Sequence, residues 1–229
     1  MKIKIREEIK NIKDEIYAIR RHFHRYPELS FKEFNTAETI SEHLDKLGIS
    51  HKKGVGKTGV VGEITFGPGP TIALRADMDA LPIQEENNLD YKSLNDGVMH
   101  ACGHDGHMAI LLGAANALSK NSKLKKGTVR FIFQPAEEGL GGAKYMIEDG
   151  CLDKVDEIYG LHLWNYQLYG EVGIKDGPVM ASADLFDIEV SGKGGHGATP
   201  QGTIDAIVVA SNLVTICLLY TSPSLRDRG

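Results

Sequence analysis

The sequence predicts an α/β fold: a mostly parallel sheet flanked by helices, followed by the start of a smaller α+β domain. Three observations carry this. Apolar runs short enough for strands alternate with helix-length segments up to about residue 175. Polar residues gather just after the strand ends, at Asp77 and Asp79, at Glu137 and Glu138, and at His162, where open α/β sheets place their sites. From about Ala183 the texture changes to a partly alternating run, a glycine-rich loop and an apolar helix, so a division near residue 180 is expected, with one domain over 1–180 and another beginning at 181.

The elements follow in order. Ile5, Ile9, Ile12, Ile16 and Ile19 form one stripe of an opening helix that Pro27 ends at about Tyr26. A second helix fits Thr36 to Leu47, closed by Gly48. Val60 to Phe66 reads as a strand, Gly67-Pro68-Gly69-Pro70 as a turn, and Thr71 to Arg75 as a strand apolar enough for a sheet centre. Residues 76–102 read as an acidic loop. A helix follows from about Asp105 to Leu118, then a strand over Val129–Gln134, a short helix over Ala143–Asp149 and a strand over Glu157–Leu163. In the second part, Leu185–Val190 reads as a strand, SGKGGHGATPQG as a loop, and Thr203 to Leu219 as a helix.

Composition narrows the function. With 41% hydrophobic and 25% charged residues the chain is ordinary globular material, and a net charge of -5 without a basic block argues against nucleic acid, which needs clustered Lys and Arg. The lysine-rich stretch Lys120–Lys126 holds no aromatic residue and reads as a solvated turn. No apolar run approaches the roughly 18 residues of a membrane span, and the N-terminus lacks the apolar centre of a secretory signal, so a cytoplasmic address is expected. Three widely spaced cysteines, Cys102, Cys151 and Cys217, are no disulfide framework.

The densest chemical signal is Met99-His100-Ala101-Cys102-Gly103-His104-Asp105-Gly106-His107, in which thiol and imidazole donors suited to zinc and similar ions crowd a glycine-punctuated loop. Next comes Gln134-Pro135-Ala136-Glu137-Glu138-Gly139 after an apolar strand. Adjacent carboxylates are expected to diverge, one to a metal and one to the water that the metal activates. His162, between two leucines at a strand end, reads either as a core histidine or as a further ligand. Asp77 and Asp79 in Arg75-Ala76-Asp77-Met78-Asp79-Ala80-Leu81-Pro82 could bind metal directly or hold a ligand histidine. His196 sits among glycines that leave it free to approach a ligand, or it marks a plain turn.

Taken together, RADMDALP, MHACGHDGHMA, FQPAEEGLGGA, GLHLW and SGKGGHGATPQGTIDAI, preceded by RRHFHRYPELSFKEFNTA, resemble the aminoacylase and hippurate-hydrolase amidohydrolases, including the plant auxin-conjugate hydrolases. The resemblance covers residues 1 to about 216. It implies a dinuclear zinc-peptidase-like catalytic domain over 1–180 and a dimerisation or lid domain from 181. It implies that Cys102, His104, Glu138 and His162 are ligands of two divalent ions (Zn, Mn or Co), with the Cys102 thiolate shared between them. Glu137 would be the general base and Asp79 a support behind the ligands. His196 would reach the substrate or the oxyanion, across the interface of a homodimer. The reaction implied is hydrolysis of the amide bond of N-acyl amino acids.

The resemblance also implies a longer chain with one more histidine ligand near its C-terminus, so the 229 residues are expected to be an N-terminal part, with an atypical tail from about 217. Two other readings stand beside the metallohydrolase. One is a thiol hydrolase with Cys102 as nucleophile. The other is an inactive fragment that serves only as a metal-binding or dimerisation module.

Overall fold

The computed structural model describes residues 5–121, 123–180 and 187–221. The chain divides into two compact units, Met1–Val172 and Gly173–Gly229.

The first unit opens with α1 (Glu7–Lys10) and α2 (Lys13–Arg25), two helices where the sequence predicts one. At Ile12 the backbone turns to φ −108°, ψ 8°, and its N–H bonds back three residues to Ile9 instead of four, which interrupts the ladder. The isoleucine stripe survives the break: Ile9, Ile12 and Ile16 are half-buried and Ile19 is buried, while Ile5 stays exposed. Then come α3 (Phe34–Lys46), β1 (Ser50–Val55), β2 (Gly59–Gly67), β3 (Thr71–Asp77), α4 (His104–Ser119), β4 (Gly127–Gln134), α5 (Gly142–Glu148) and β5 (Glu157–Gly160). Sequence reading missed β1. Ser-His-Lys-Lys-Gly-Val has no apolar alternation because it is an edge strand, and lysines on an edge discourage pairing with other chains. The last strand stops at Gly160 rather than Leu163.

The sheet order is β1-β2-β4-β3-β5. β3 pairs in parallel with both β4 and β5, whereas β2 runs antiparallel to β4 and to β1. Four of the five strands therefore point the same way and only β2 is reversed, so the sheet is mixed but mostly parallel. The side chains of β3 and β4 alternate between two apolar clusters. Phe131, Phe133 and Ala76 face a large one with Ile19 and Phe23 of α2, Ile40 and Leu44 of α3, and Met108 and Leu112 of α4. Ile132 and Ala73 face a smaller one with Met146 of α5 and Cys151. Each fully buried large side chain stabilises by about 1.5–3 kcal/mol, so the three-helix face carries most of the stability. The chain passes from β3 through α4 to β4 on that face, then through α5 to β5 on the other. The carboxyl ends of β3, β4 and β5 consequently share one edge of the sheet.

In the second unit, Lys193 and Ile204 form an isolated antiparallel bridge around a loop that contains the 3-10 turn Pro200–Gly202. A helix, α6 (Ala206–Thr221), follows. The strand expected over Leu185–Val190 begins outside the described residues, and its described part, 187–190, forms no strand. Of the atypical tail expected from 217, residues 222–229 also lie outside the described residues.

Candidate metal centre

The shared strand edge collects most of the predicted residues. Asp77 ends β3 and Asp79 follows two residues on; Glu137 and Glu138 follow the end of β4; His162 follows β5. Gly103, left-handed at φ 87°, starts α4 and sets Cys102 in the preceding turn and His104 in its first turn. One donor atom each from Cys102, His104 and His162 lies within 4.8 Å of the others, and the same holds for His104, Glu137 and Glu138.

The histidines are oriented for ligation. His104 donates its Nδ1 proton to the Asp79 carbonyl oxygen at 2.8 Å, which leaves Nε2 with a lone pair; that atom is buried and has no hydrogen-bond partner. His162 donates its Nδ1 proton to the Leu163 carbonyl oxygen at 2.6 Å, and its Nε2 lies 3.4 Å from Cys102 Sγ. A second group that fixes the tautomer and aims the other nitrogen is the arrangement metal-binding histidines use. A Glu138 carboxylate oxygen sits 3.9 Å from His104 Nε2. Burial would lower the His104 pKa, but the carboxylates of Asp79 and Asp77 outweigh it and hold it above its ordinary value. A field that favours a proton on Nε2 also favours a cation there.

In a third candidate group, Asp77, His104 and His107, the aspartate and His107 are already engaged in internal bonds. His107 donates from Nδ1 to Asp77 at 2.6 Å and accepts the Leu163 N–H on Nε2 at 2.8 Å. The other Asp77 oxygen accepts from Arg75 at 2.7 Å. Burial pushes the Asp77 carboxyl up, but the His107 hydrogen bond and the charges of His104 and Arg75 bring it well below the usual carboxylate range. Asp79 is spent as well: one oxygen accepts the Glu137 N–H at 3.0 Å, and the other accepts the Glu138 N–H at 3.0 Å and the Ser30 hydroxyl at 2.7 Å. Of the two readings the sequence left open for these aspartates, the geometry matches support of the ligand loops.

One expectation fails. Glu137 and Glu138 do not diverge: both bring a carboxylate oxygen near His104. The preceding Ala136 is left-handed, at φ 49°. Burial, the Glu138 charge and the Asp77 charge raise the Glu137 pKa against the opposing effect of His104 and Arg75. Burial, together with the Glu138 and Asp77 carboxylates, pushes the Cys102 thiol up to about 12. Only a bound cation would make this thiol a thiolate at neutral pH, which removes support from the reading of Cys102 as a free nucleophile.

Behind the centre lies a polar cluster that sequence reading did not find. His24 bridges Asp105 at 2.8 Å and Glu85 at 3.1 Å, and Arg20 donates to the same Asp105 oxygen at 3.0 Å. It ties α2 to the start of α4 and to the 76–102 loop, and partners so far apart in sequence leave no local signal. His100 is buried, and burial lowers its pKa to about 4, so it is neutral. His196 belongs to the second unit, where it is exposed and its Nδ1 accepts the Ala198 N–H at 3.1 Å.

The sequence pattern of peptidase family M20/M25/M40 matches residues 73–215. The chain is 52% identical over 211 residues to "Thermostable carboxypeptidase 1" of Saccharolobus solfataricus, covering 90% of this chain and 54% of that protein. It is 49% identical over 216 residues to the "N-acyl-L-amino acid amidohydrolase" of Geobacillus stearothermophilus, covering 92% of this chain and 58% of that protein. Among solved structures, the Bacillus subtilis YXEP protein, described as a dinuclear metal binding peptidase from the M20 family, superposes with a TM-score of 0.70 at 46% identity, over 74% of this chain and 48% of that one. The chain thus spans about half the length of the curated relatives it matches. On the strength of these matches and of the fold beneath them, the chain belongs to peptidase family M20/M25/M40.

Proposed function

We propose that the protein hydrolyses the amide bond of N-acyl amino acids, releasing a carboxylic acid and an amino acid, with two divalent ions held by Cys102, His104, Glu138 and His162. The observation that carries this reading is the buried, unpartnered Nε2 of His104, on a residue that has a donor atom within 4.8 Å of donors from Cys102 and His162 and likewise of donors from Glu137 and Glu138. A dinuclear relative and an N-acyl amino acid amidohydrolase relative support it. The mixed donor set of thiol, imidazole and carboxylate suits zinc, manganese or cobalt.

When bound, the ions polarise the scissile carbonyl and acidify water. The chain's own groups do the rest. Glu137, with its raised pKa, takes the proton of the attacking water and delivers it to the leaving amine. Asp79 holds the backbone of Glu137 and Glu138 so that neither has to reorganise during the reaction. His196 donates to the developing oxyanion, in a homodimeric full-length protein. Cys102 and Cys151 form no disulfide, which fits a reducing, cytoplasmic setting, and no described helix is long and apolar enough to cross a membrane.

The test is a panel of N-acetyl, N-benzoyl and N-indoleacetyl amino acids incubated with the full-length protein, with added Zn²⁺ or Mn²⁺ and after EDTA. Release of amino acid that EDTA abolishes and metal restores is expected. Turnover that survives EDTA would refute a metal mechanism, and metal binding without turnover of any amide would leave only a binding module.

A further inference from the structure

The stretch Tyr26-Pro27-Glu28-Leu29-Ser30-Phe31-Lys32-Glu33 contributes no candidate ligand, yet it runs directly behind the ligand loops. Its Leu29 bridges Ala80, and the Ala80 N–H donates to the Glu28 carbonyl. Ser30 donates to Asp79. Glu33 is fully buried. One of its carboxylate oxygens accepts the Ala136 N–H at 2.9 Å, and the other accepts the Thr58 hydroxyl at 2.5 Å.

Three of the four non-glycine residues with positive φ among the described residues meet at this point: Phe31 (58°), Lys57 (79°) and Ala136 (49°). The Lys57 ammonium lies over the Phe31 ring at 3.9 Å and over the Tyr145 ring at 4.0 Å. A left-handed alanine is unfavourable by itself and persists only where the surroundings enforce it. At Ala136 the enforcement is visible. Three successive backbone N–H groups, of Ala136, Glu137 and Glu138, each end on a buried carboxylate: the first on Glu33, the next two on Asp79.

We infer that Glu33 is a positioning residue of the metal centre: its bond to the Ala136 N–H enforces the left-handed turn that brings Glu137 and Glu138 to the same side of the loop. This rests on the metal-site reading above but not on any particular substrate. Thr58 provides the internal control, since its hydroxyl donates to the Glu33 carboxylate and not to the ligand loop. Glutamine at 33 would keep its one oxygen on Ala136, because a hydroxyl can turn round to accept from the amide and a backbone N–H cannot.

The experiment compares Glu33→Ala, Glu33→Gln and Thr58→Val in the full-length protein. Three quantities are read: thermal midpoint, hydrogen exchange of the 134–139 amides in the metal-free protein, and Zn²⁺ affinity by calorimetry. Turnover is read wherever the wild type shows it. Groups that orient ligands typically contribute about 10–100-fold to metal affinity. Glu33→Ala should lose about that much and expose the 134–139 amides. Glu33→Gln should lose about threefold or less, and Thr58→Val should lower the midpoint while leaving affinity and exchange of this loop near wild type. Equal affinity losses in Glu33→Ala and Thr58→Val at equal loss of stability would overturn the inference, as would an unchanged affinity in a folded Glu33→Ala. Should Glu33→Ala not fold, a tenfold affinity loss in Glu33→Gln overturns it and retention supports it. A wild type that binds Zn²⁺ but hydrolyses nothing refutes the amidohydrolase reading and leaves this comparison intact.

Discussion

Asp79→Asn isolates the second carboxylate that holds the ligand loop, because the side chain keeps its shape and leaves no cavity. The aspartate accepts three hydrogen bonds, from the Glu137 and Glu138 N–H groups and from the Ser30 hydroxyl. An asparagine has one acceptor oxygen. Placed on the Glu138 side, that oxygen keeps two bonds and turns an NH₂ against the Glu137 N–H. Placed on the Glu137 side, it lets Ser30 turn and accept but orphans the Glu138 N–H. Either way one backbone donor at a buried carboxylate loses its partner, at about 1–3 kcal/mol, and the surviving bonds lose their charge assistance, about 1 kcal/mol more. The expected loss is about 2–4 kcal/mol, read from urea unfolding of the metal-free protein at unchanged m-value, together with weaker Zn²⁺ binding through Glu138. A loss below about 1 kcal/mol with unchanged metal affinity would refute the claim that Asp79 holds the loop.

Further outcomes follow from the same geometry. Glu137→Gln should lower kcat by about 10²–10⁴-fold, the usual contribution of a general base, while calorimetry shows the metal still bound. The activity of the wild type should fall as pH drops through the raised Glu137 pKa, because the base must be ionised. Asp77 titrates below its ordinary 3.8 in the folded protein, so its contribution to stability is present above that pH and is lost as pH falls through the folded value. Thermal midpoints of the metal-free protein between pH 5 and pH 2 should therefore drop less steeply in Asp77→Asn than in wild type. Gly142→Ala should be strongly destabilising, by roughly 2–4 kcal/mol as for other backbone clashes, and should weaken metal binding. Its new Cβ would lie 1.8 Å from the Pro135 carbonyl oxygen, backbone that cannot move without opening the 135–142 turn. Circular dichroism melts and calorimetry check both effects.

Much was legible in the chain itself. The apolar strand runs that became β2, β3, β4 and β5, the isoleucine stripe of α2, the Gly48 that closes α3, and the Ala, Leu and Met run of α4 are local signals, readable from neighbouring residues alone. The cluster of Cys102, His104 and His107 and the Glu137–Glu138 pair announced metal chemistry because their donors are packed within a few residues. Where local signals were absent, sequence reading failed. β1 is a lysine-bearing edge that needs no apolar face, and the break between α1 and α2 has no proline or glycine to mark it.

Only the tertiary structure decided which of the candidate donors are free to bind. His107 looks as good a ligand as His104 in the sequence, but its nitrogens are taken by Asp77 and by the Leu163 N–H, whereas the Asp79 carbonyl frees the Nε2 of His104. Whether Asp79 ligates or supports depended on which backbone N–H groups lay within reach, and the left-handed Ala136 that precedes Glu137 and Glu138 is braced by Glu33 from 103 residues away. A sequence carries the donors; hydrogen-bond competition among groups far apart in the chain settles which donors remain available, and that competition exists only once the sheet has brought them to one edge.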